Sequence, residues 1–425
     1  MKTLFHNAKI LTMKNDQIIE GDLVVSDMRI AYIGKDSSKF GPFDRIIECN
    51  KNLLMPGFKN AHAHSAMVFL RGKVDNVSLQ DWLFKIVFPR EERLIPTDIY
   101  YLNKVAYLEY VSGGITACFD HYFFPLEAAK AANEFGMRTL LLATHDPLKT
   151  SVEDLEKNYH LLNDVKDGLV RYIVGFHAEY TSDDALLKGT KESLDLLKSP
   201  FYTHISETEK EVKECVERHG KTPLKFLYDE GFFKYGGGGF HCVHLTDEEI
   251  RIVKENNLTV ISCPGSNVKL ASGIAPLTTF LENGINVALG TDGPASNDGL
   301  DMFKEMYLAA TLQKLRNKDA SCIKAFDVLK MATVNAAHAM LLDEADVLDV
   351  GKYADIIMID LSLPNMRVNG DIITNLVYSA GKENVKLTMI NGQILYEDGK
   401  YFLKDNIDDI YAKAEEISER LEKGL

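Results

Sequence analysis

The sequence predicts an α/β protein: a (β/α)8 barrel with a small β-sandwich domain that is formed from both chain termini. From Pro56 onward, short apolar strand-like runs alternate with helical stretches, as in repeated βα units around a parallel sheet. Both ends of the chain contain short strand-like runs without intervening helical stretches. We therefore predict a composite β-sandwich from residues 1–55 and 345–405, a barrel over 56–344, and a C-terminal helix over 406–425.

The barrel prediction rests on eight strand-like runs, and eight βα units over about 290 residues match a TIM-type barrel. Near-continuous apolar character is expected of strands that are buried on both faces. The sixth run follows four glycines, Gly236–Gly239, which are interpreted as a loop. The runs are one ending at His62 to His64, then Ile115–Asp120, Arg138–Thr144, Val170–His177, Phe201–His204, Phe240–His244, Thr259–Cys263 and Val287–Asp292.

The terminal regions have the pattern of short strands that are separated by turn signals. Asn391-Gly392 is a two-residue hairpin signal between the last two of these strands. Residues 406–422 have the pattern of a charged amphipathic helix. The predicted terminal strands are Leu4–Met13, Leu23–Ser26, Arg29–Ile33, Arg45–Glu48, Asp355–Ile359, Leu387–Ile390 and Gln393–Tyr396.

The composition indicates a soluble enzyme, since 46% of the 425 residues are hydrophobic and 26% are charged. The net charge of −14 disfavours nucleic acid and anionic membranes as partners. The six cysteines form no Cys-x-x-Cys pair, which fits a reducing cytoplasm. No apolar stretch approaches the roughly 20 residues that span a bilayer. We predict a cytoplasmic protein with a small-molecule substrate, and the sequence leaves open whether the protein forms a homo-oligomer.

The pair His62 and His64 is the first indication of a metal site. Side chains at i and i+2 of a strand point to the same face, and imidazole suits zinc, iron and nickel. A His-x-His pair alone is weak evidence. Further metal-binding residue types, His204, His241 and Asp292, lie at the ends of three other predicted strands. Because barrel active sites form at strand C-terminal ends, the joint arrangement predicts a metal site.

Each of these residues also has a structural interpretation. His204 could be a hydrogen-bonded core histidine, and Asp292 could cap the following helix. A catalytic metal keeps one position for water, whose pKa falls toward neutrality. Glu207, three residues after His204, can take and pass on the proton of this water. His241 and Asp292 can hold and polarise the water. We predict one divalent ion per chain, with zinc first and iron or nickel as alternatives.

The order of these motifs resembles the amidohydrolase superfamily, in its mononuclear aminohydrolase branch. The motifs are Pro56-Gly57, His62-x-His64, His204-x-x-Glu207, His241 and Gly290-Thr291-Asp292-Gly293. Binuclear members carry a bridging lysine at the end of the fourth strand, where this chain has Val174-Gly175-Phe176-His177. The resemblance implies that His62, His64, His204 and Asp292 bind one metal and that His241 contacts the substrate or the water.

Within this branch the chain is similar to the 5-methylthioadenosine/S-adenosylhomocysteine deaminases. The resemblance implies that Glu91 binds ribose hydroxyls and that Arg138 and His177 line the substrate pocket. Alternatively, Glu91 belongs to a solvated charge run, and Arg138 only neutralises an acid. The matching stretches are Leu70-Arg71-Gly72, Leu79-Gln80-Asp81-Trp82-Leu83, Pro89-Arg90-Glu91-Glu92-Arg93-Leu94, Glu134-Phe135-Gly136-Met137-Arg138 and Thr291-Asp292-Gly293-Pro294-Ala295-Ser296-Asn297.

The chain departs from this family at one position. Members that accept S-adenosylhomocysteine hold its carboxylate with a second arginine, whereas residues 139–170 contain no arginine. Lys149 is a weak substitute, because an ammonium lacks the bidentate fork of a guanidinium. The departure disfavours the homocysteine-bearing substrate more than the adenosine core.

The resemblance implies hydrolytic deamination of an adenine-type nucleoside: 5-methylthioadenosine, adenosine or S-adenosylhomocysteine. Metal-activated water would attack C6, and ammonia would leave. The alternative is an amidohydrolase that acts on a free base, a pterin or a chlorotriazine, of the guanine deaminase or chlorohydrolase type. Glu91 favours the ribose-bearing substrate. A non-catalytic scaffold barrel is disfavoured, because the metal ligands and Glu207 are all present.

Overall fold

The computed structural model describes residues 1–73, 77, 81–144, 152–368 and 370–423. Its strands are β1 (Lys2–Leu11), β2 (Ile18–Ser26), β3 (Arg29–Gly34), β4 (Arg45–Glu48), β5 (Leu53–Pro56), β6 (Phe58–Ala63), β7 (Ile115–His121), β8 (Arg138–Thr144), β9 (Val170–Ala178), β10 (Phe201–Ile205), β11 (Gly237–His241), β12 (Thr259–Ser262), β13 (Asn286–Leu289), β14 (Ile356–Ile359), β15 (Val385–Ile390), β16 (Gln393–Glu397) and β17 (Lys400–Tyr401).

Helices follow most of the barrel strands. The α-helices span Phe88–Glu91, Pro96–Ser112, Pro125–Phe135, Val152–Asn163, Asp184–Leu197, Glu209–His219, Pro223–Asp229, Asp247–Glu255, Pro264–Lys269, Leu277–Glu282, Met302–Asn317, Ala325–Met331, Val334–Ala339, Ile372–Tyr378 and Ile407–Glu422. Short 3-10 turns span Ser38–Phe40, Ser65–Leu70, Glu179–Thr181, Asp343–Ala345, Pro364–Met366 and Lys382–Asn384, and a π-helical turn spans Trp82–Val87.

The eight strands β6 to β13 form a parallel sheet in which each strand pairs with the next along the chain. A parallel bridge between Ala63 and Asp292 joins the two edges, so the sheet closes into a barrel. The backbone N–H of Asp292 donates to the carbonyl of His62 at 2.9 Å across this seam. The predicted (β/α)8 fold is confirmed, and the seam brings the first and last strand ends together.

The prediction that Gly236–Gly239 form a loop and that the strand runs from Phe240 to His244 was wrong. The strand is β11, which includes Gly237, Gly238 and Gly239 and ends at His241. A Cβ atom on Gly238 would lie 2.1 Å from the carbonyl oxygen of Thr259. Glycine is therefore required here by close backbone packing between neighbouring strands, and not by a turn.

Both chain ends contribute to a separate mixed sheet, with the strand order β17-β16-β15-β14-β5-β1-β2-β3 and with β4 also paired to β1. The predicted composite β-domain from both termini is thereby confirmed, and it has a hydrophobic core of its own, which includes Phe5, Leu54 and Met358. Arg45 on β4 and Glu397 on β16 form an ion pair within it. The exact domain boundaries stay predictions.

The C-terminal helix, Ile407–Glu422, packs on the barrel side of the molecule. Its buried side chains Ile410, Ile417 and Leu421 belong to the same hydrophobic cluster as the barrel helices. Among the described residues, no helix is both long and apolar enough to cross a membrane. The cytoplasmic location and the oligomeric state stay predictions.

Candidate active site

The four predicted metal ligands and His241, which was predicted to contact the substrate or the water, meet at one end of the barrel. His62 lies on β6 and His64 directly follows it, His204 lies on β10, and His241 is the last residue of β11. Asp292 comes three residues after β13 and is brought to the cluster by the seam with β6. The site is thus built from the carboxyl ends of strands on opposite sides of the barrel, as active sites of this fold are.

The donor atoms are close enough to share one cation. One ligand atom each of His62, His204, His241 and Asp292 lies within 4.8 Å of the others. His62 Nε2 and His64 Nε2 lie 3.3 Å and 3.2 Å from Asp292 Oδ1. Both ring nitrogens of the buried His62 lack a hydrogen-bond partner. Unpaired buried imidazole nitrogens are costly, so this donor set fits a metal ion.

Backbone carbonyls fix the tautomers of two of these histidines. His64 Nδ1 donates to the carbonyl of His121, and His204 Nδ1 donates to the carbonyl of His177, each at 2.6 Å. Because a carbonyl only accepts, Nδ1 carries the proton in both rings. Each Nε2 therefore presents its lone pair to the cluster, which is the usual arrangement of metal-binding histidines.

Asp292 is oriented by two serine hydroxyls. Its Oδ2 accepts hydrogen bonds from Ser266 Oγ and Ser296 Oγ, both at 2.7 Å, which leaves Oδ1 facing His62 and His64. Burial alone would raise the pKa of Asp292, but the two imidazoles hold it well below its ordinary value. The carboxylate is therefore ionised in the folded protein, as a metal ligand must be.

Glu207 and His241 face each other beside the cluster. Glu207 Oε2 lies 4.0 Å from His241 Nε2, and Glu207 Oε1 accepts a hydrogen bond of 3.3 Å from Ser272 Oγ. Burial raises the pKa of Glu207 above its ordinary value. His241 Nδ1 donates to Asn267 Oδ1 at 2.8 Å. A carboxyl group with a raised pKa is suited to accept and return a proton near neutral pH.

Sequence reasoning missed Glu211, which supports the loop of Glu207. Its carboxylate accepts hydrogen bonds of 2.7 Å from the backbone N–H groups of Ser206 and Glu207. The Thr208 hydroxyl accepts from the Glu211 N–H, which completes a capping box at the start of Glu209–His219. The Ser/Thr-x-x-Glu spacing of Thr208 and Glu211 is the signal that could have identified it.

A cavity of about 430 Å³ opens onto the cluster. His64, His204, His241, Asp292 and Glu207 lie among its lining residues. The rest of the wall is mostly apolar or aromatic and includes Met67, Trp82, Leu83, Phe84, Phe88, Tyr122, Phe123, Tyr180, Leu186 and Leu270. A largely apolar cavity with a few convergent polar groups is typical of a small-molecule site.

Glu91 lies in this cavity and not on a solvated face. It ends the short helix Phe88–Glu91, and only 5% of its surface is exposed. Tyr122 donates its hydroxyl proton to Glu91 Oε1 at 2.7 Å. Tyr122 follows β7 directly, so this hydrogen bond joins the outer wall of the cavity to the barrel.

His177 also lines the cavity, as the resemblance implies. It is the penultimate residue of β9, and its Nδ1 lies 3.0 Å from Thr181 Oγ1. Burial lowers the pKa of His177 to about 3, so the ring is neutral at physiological pH. A neutral imidazole can donate or accept a hydrogen bond toward a bound heterocycle.

The prediction that Arg138 lines the pocket was wrong. Arg138 is the first residue of β8, at the opposite end of the barrel, and its guanidinium forms a bidentate pair with Asp355, at 2.6 Å and 3.0 Å. Asp355 precedes β14, so the pair joins the barrel to the composite sheet. The second interpretation of Arg138, neutralisation of an acid, fits this contact. Among the described residues that line the cavity, none is arginine or lysine.

His121 is a second residue that sequence reasoning missed. It ends β7, lines the cavity, and its buried Nδ1 has no hydrogen-bond partner. One ligand atom each of His64, His121 and His204 also lies within 4.8 Å of the others. The two groups overlap at His204, whose only free ring nitrogen is Nε2. The strand-end position was the available signal.

The chain is similar to known proteins over nearly its whole length. The model of the amidohydrolase family matches residues 53–395. The chain is 39% identical to a 5-methylthioadenosine/S-adenosylhomocysteine deaminase of Caldanaerobacter subterraneus subsp. tengcongensis, over 100% of this chain and 99% of that protein. It is 36% identical to a 5′-deoxyadenosine deaminase of Methanosarcina mazei, over 98% and 99%.

A solved structure is similar over the same extent. It is an adenosine deaminase from Xanthomonas campestris with bound zinc, which superposes with a TM-score of 0.92 at 29% identity and covers 99% of this chain and 98% of that one. The family match extends over the barrel and the strands on either side of it. With the family match and the full-length relatives, the chain belongs to the amidohydrolase family.

Proposed function

We propose that the protein is a metal-dependent hydrolytic deaminase of adenine nucleosides. The observation that carries the proposal is the pairing, in one cavity, of the His/Asp cluster and Glu207 with Glu91 on the outer wall. The first group supplies hydrolytic chemistry, and the second supplies a buried acceptor for sugar hydroxyls. The names of the relatives support the same reaction class.

One divalent ion would be held by His62, His64, His204 and Asp292, with zinc as the proposed identity because a similar structure contains it. When bound, such an ion lowers the pKa of a coordinated water toward neutrality. The chain contributes the two fixed Nδ1–H tautomers and the Asp292 carboxylate that Ser266 and Ser296 orient. His241 lies beside these ligands and would contact the water or the C6 amino group.

Glu207 would move the protons. Its carboxylate would accept one proton from the water whose oxygen bonds to C6, and would pass it to N1 of the purine. The second water proton, then on the C6 hydroxyl, would move to the amino nitrogen as the C6–N bond breaks, so that ammonia leaves and C6 becomes a carbonyl. The Ser272 hydrogen bond and the Glu211 support of the backbone hold the carboxylate in place for both transfers. The overall reaction converts the adenine base and water into the hypoxanthine base and ammonia.

Glu91 would accept hydrogen bonds from the ribose 2′- and 3′-hydroxyls, and His177 would contact the purine. A free base, pterin or chlorotriazine has no sugar hydroxyl to donate to Glu91, so it would lose these charged hydrogen bonds, each worth about 1.5–3 kcal/mol. The Glu91 environment therefore favours a nucleoside over those alternatives.

The apolar wall favours a small or apolar 5′ substituent. Neither arginine nor lysine is present among the described lining residues to pair with a homocysteine carboxylate. Lys149 lies outside the described residues, so its contribution is left to experiment. We propose 5-methylthioadenosine, 5′-deoxyadenosine or adenosine as the better substrates.

The test is ammonia release from a panel of these nucleosides, S-adenosylhomocysteine, guanine, cytosine and a pterin. Protein purified without chelators should contain about one divalent ion per chain, as expected of a mononuclear catalytic site. Turnover of adenine nucleosides alone would support the proposal. Faster turnover of a free base or a pterin than of the nucleosides would overturn the proposal. So would the finding that the purified protein contains no metal and stays inactive after divalent ions are added.

A further inference from the structure

One short segment, Trp82–Glu91, forms part of the wall of the cavity, and we call it the pocket wall. It consists of the π-helical turn Trp82–Val87 and the short helix Phe88–Glu91. It supplies five lining residues, Trp82, Leu83, Phe84, Phe88 and Glu91. π-Helical turns are uncommon and occur often at functional sites. The position of this segment therefore sets the position of Glu91.

The pocket wall is bound to the end of the chain. Arg90 precedes Glu91, and its Nε and Nη2 donate to the two carboxylate oxygens of Glu422 at 3.0 Å and 2.7 Å. Lys73 Nζ donates to the same carboxylate at 2.9 Å. Arg90 Nη1 donates to the carbonyl of Ile86 at 2.9 Å, inside the wall. One guanidinium thus bridges the pocket wall and the last turn of the C-terminal helix.

Arg93 strengthens the same junction. Its guanidinium donates to the carbonyls of Leu421, at 2.7 Å, and Lys423, at 2.6 Å, which lie at the carboxyl end of the helix. A cation at this end of a helix satisfies the free carbonyls and interacts favourably with the helix dipole. Arg420 donates back to the carbonyl of Arg93 at 3.1 Å. Arg90 and Arg93, on either side of Glu91, therefore form hydrogen bonds with the C-terminal helix and do not belong to a solvated charge run.

Both partners of the central pair are partly shielded from water. The side chains of Arg90 and Glu422 are 16% and 34% exposed. The hydrogen bonds from Arg90 and then Lys73 lower the pKa of Glu422 to about 2. The helix itself is fixed by its buried face, which includes Leu421. The junction is a bidentate pair on a rigid support, the geometry in which an ion pair has a measurable effect.

We propose that Arg90 and Glu422 are positioning residues for the proposed nucleoside reaction, because they hold Glu91 where it meets the sugar hydroxyls. Neither residue lines the cavity. Tyr122 fixes the Glu91 carboxylate from the barrel side, and the Arg90–Glu422 pair fixes its backbone from the outer side. Loss of the pair leaves the metal cluster and Glu207 intact but loosens one wall of the sugar site.

The fluorescence of one tryptophan can report the position of the pocket wall. Trp82 is the single tryptophan of the chain and lies in the pocket wall, where it is 6% exposed. Acrylamide quenching of tryptophan emission therefore measures the openness of the wall without substrate. The variants are Arg90→Ala, Arg90→Lys and Glu422→Ala. Arg45→Ala is the matched control, since Arg45 also pairs with a glutamate near the chain end, Glu397, but within the composite sheet.

Arg90→Ala and Glu422→Ala should increase quenching and shift the emission to longer wavelength. They should raise KM for a ribonucleoside by about tenfold, equivalent to about 1.4 kcal/mol of binding. The value of kcat and the metal content should change little. Arg90→Lys should be intermediate, because an ammonium lacks the fork of the guanidinium. Arg45→Ala should match the wild type in quenching and in KM.

The double variant R90A/E422A separates a specific pair from general destabilisation. Its effect on KM and on quenching should be smaller than the sum of the two single effects, because the two residues share one contact. Unchanged quenching and unchanged KM in the single variants would overturn the proposal. So would a fall in kcat or metal content without a rise in KM, since that result places the effect at the metal cluster. If no adenine nucleoside is turned over, the proposed function fails, and the quenching still decides whether the pair holds the wall.

Discussion

The backbone carbonyl of His177 accepts a hydrogen bond of 2.6 Å from Nδ1 of His204. This contact links two neighbouring strands, β9 and β10, and it leaves only Nε2 of His204 free. A pocket residue on one strand therefore orients a proposed metal ligand on the next. The orientation depends on the backbone of His177 and not on its side chain.

His204→Ala should remove most of the metal and all measurable turnover, because His204 belongs to both overlapping groups of metal-binding residues. His177→Ala should keep the metal, since the carbonyl that orients His204 remains. Elemental analysis of both variants measures their metal content. His338→Ala is the control, because the side chain of His338 is half-exposed and lies outside the cluster. A full metal complement in His204→Ala would remove His204 from the ligand set.

Glu207→Gln should keep the metal and lower kcat by at least about 10²-fold, the usual contribution of a general acid–base group. The amide is similar in shape but cannot exchange protons. Glu249→Gln is the matched control, because Glu249 is a buried glutamate that caps the helix Asp247–Glu255 outside the cavity. Should Glu207→Gln raise KM at constant kcat, Glu207 would bind substrate and another group would move the proton.

The strand-end rule located the candidate site from the sequence. Five predicted residues, His62, His64, His204, His241 and Asp292, gather at one end of the barrel. The runs that lead to His204 and Asp292 are apolar and follow turn residues, so local pattern is sufficient to find them, whereas β11, which ends at His241, is mostly glycine. The same rule applied strictly would have excluded Arg138, since the predicted strand begins at that residue.

Other features depend on contacts that local pattern does not contain. Arg90 and Glu422 are 332 residues apart, and only the folded chain brings them together. Gly237 and Gly238 of β11 were predicted to lie in a loop, but a Cβ atom on them would lie 1.9 Å and 2.1 Å from backbone carbonyl oxygens of the neighbouring strands. The role of Tyr122 depends on its position after β7, where its hydroxyl donates to Glu91, and no motif in the sequence indicates this contact.

The stability of the protein should depend on the titration of Lys59. Lys59 is fully buried, its Nζ donates to the Gly57 carbonyl and to Thr116 Oγ1 at 2.9 Å, and burial lowers its pKa from 10.5 to about 8. Between these values the unfolded chain holds one proton more than the folded chain. The free energy of unfolding should therefore rise with pH from about 8 to about 10.5, by about 3 kcal/mol for this group.

Lys59→Met should abolish this rise. The measurement is the melting temperature of the variant and of the wild type from pH 7 to pH 10.5, with the metal removed. The difference between the two proteins reports the titration of Lys59, because all other titrating groups are the same in both. Lys9→Met, at a partly exposed strand position, is the control. If the difference in melting temperature between Lys59→Met and the wild type stays constant with pH, the pKa of Lys59 is the same in the folded and unfolded chains.

The 5′ substituent should decide between nucleosides. Because the described wall offers no cation for a homocysteine carboxylate, kcat/KM should be higher for 5-methylthioadenosine than for S-adenosylhomocysteine. Lys149→Met should leave this ratio unchanged if the lysine makes no specific contact. A preference for S-adenosylhomocysteine that disappears in Lys149→Met would instead assign the carboxylate to Lys149.

Glu91 should discriminate ribose from deoxyribose. Its buried carboxylate accepts a hydrogen bond from Tyr122 and lines the cavity. Each charged hydrogen bond to a sugar hydroxyl is worth about 1.5–3 kcal/mol, so 2′-deoxyadenosine should have a kcat/KM roughly tenfold or more below that of adenosine. Glu91→Ala should erase most of this difference, whereas Glu92→Ala, the adjacent glutamate outside the cavity lining, should keep it. The measurement is kcat/KM for both nucleosides on the wild type and the two variants. Equal activity on the two sugars in the wild type would refute the role of Glu91 and would favour a free base, a pterin or a triazine as the substrate.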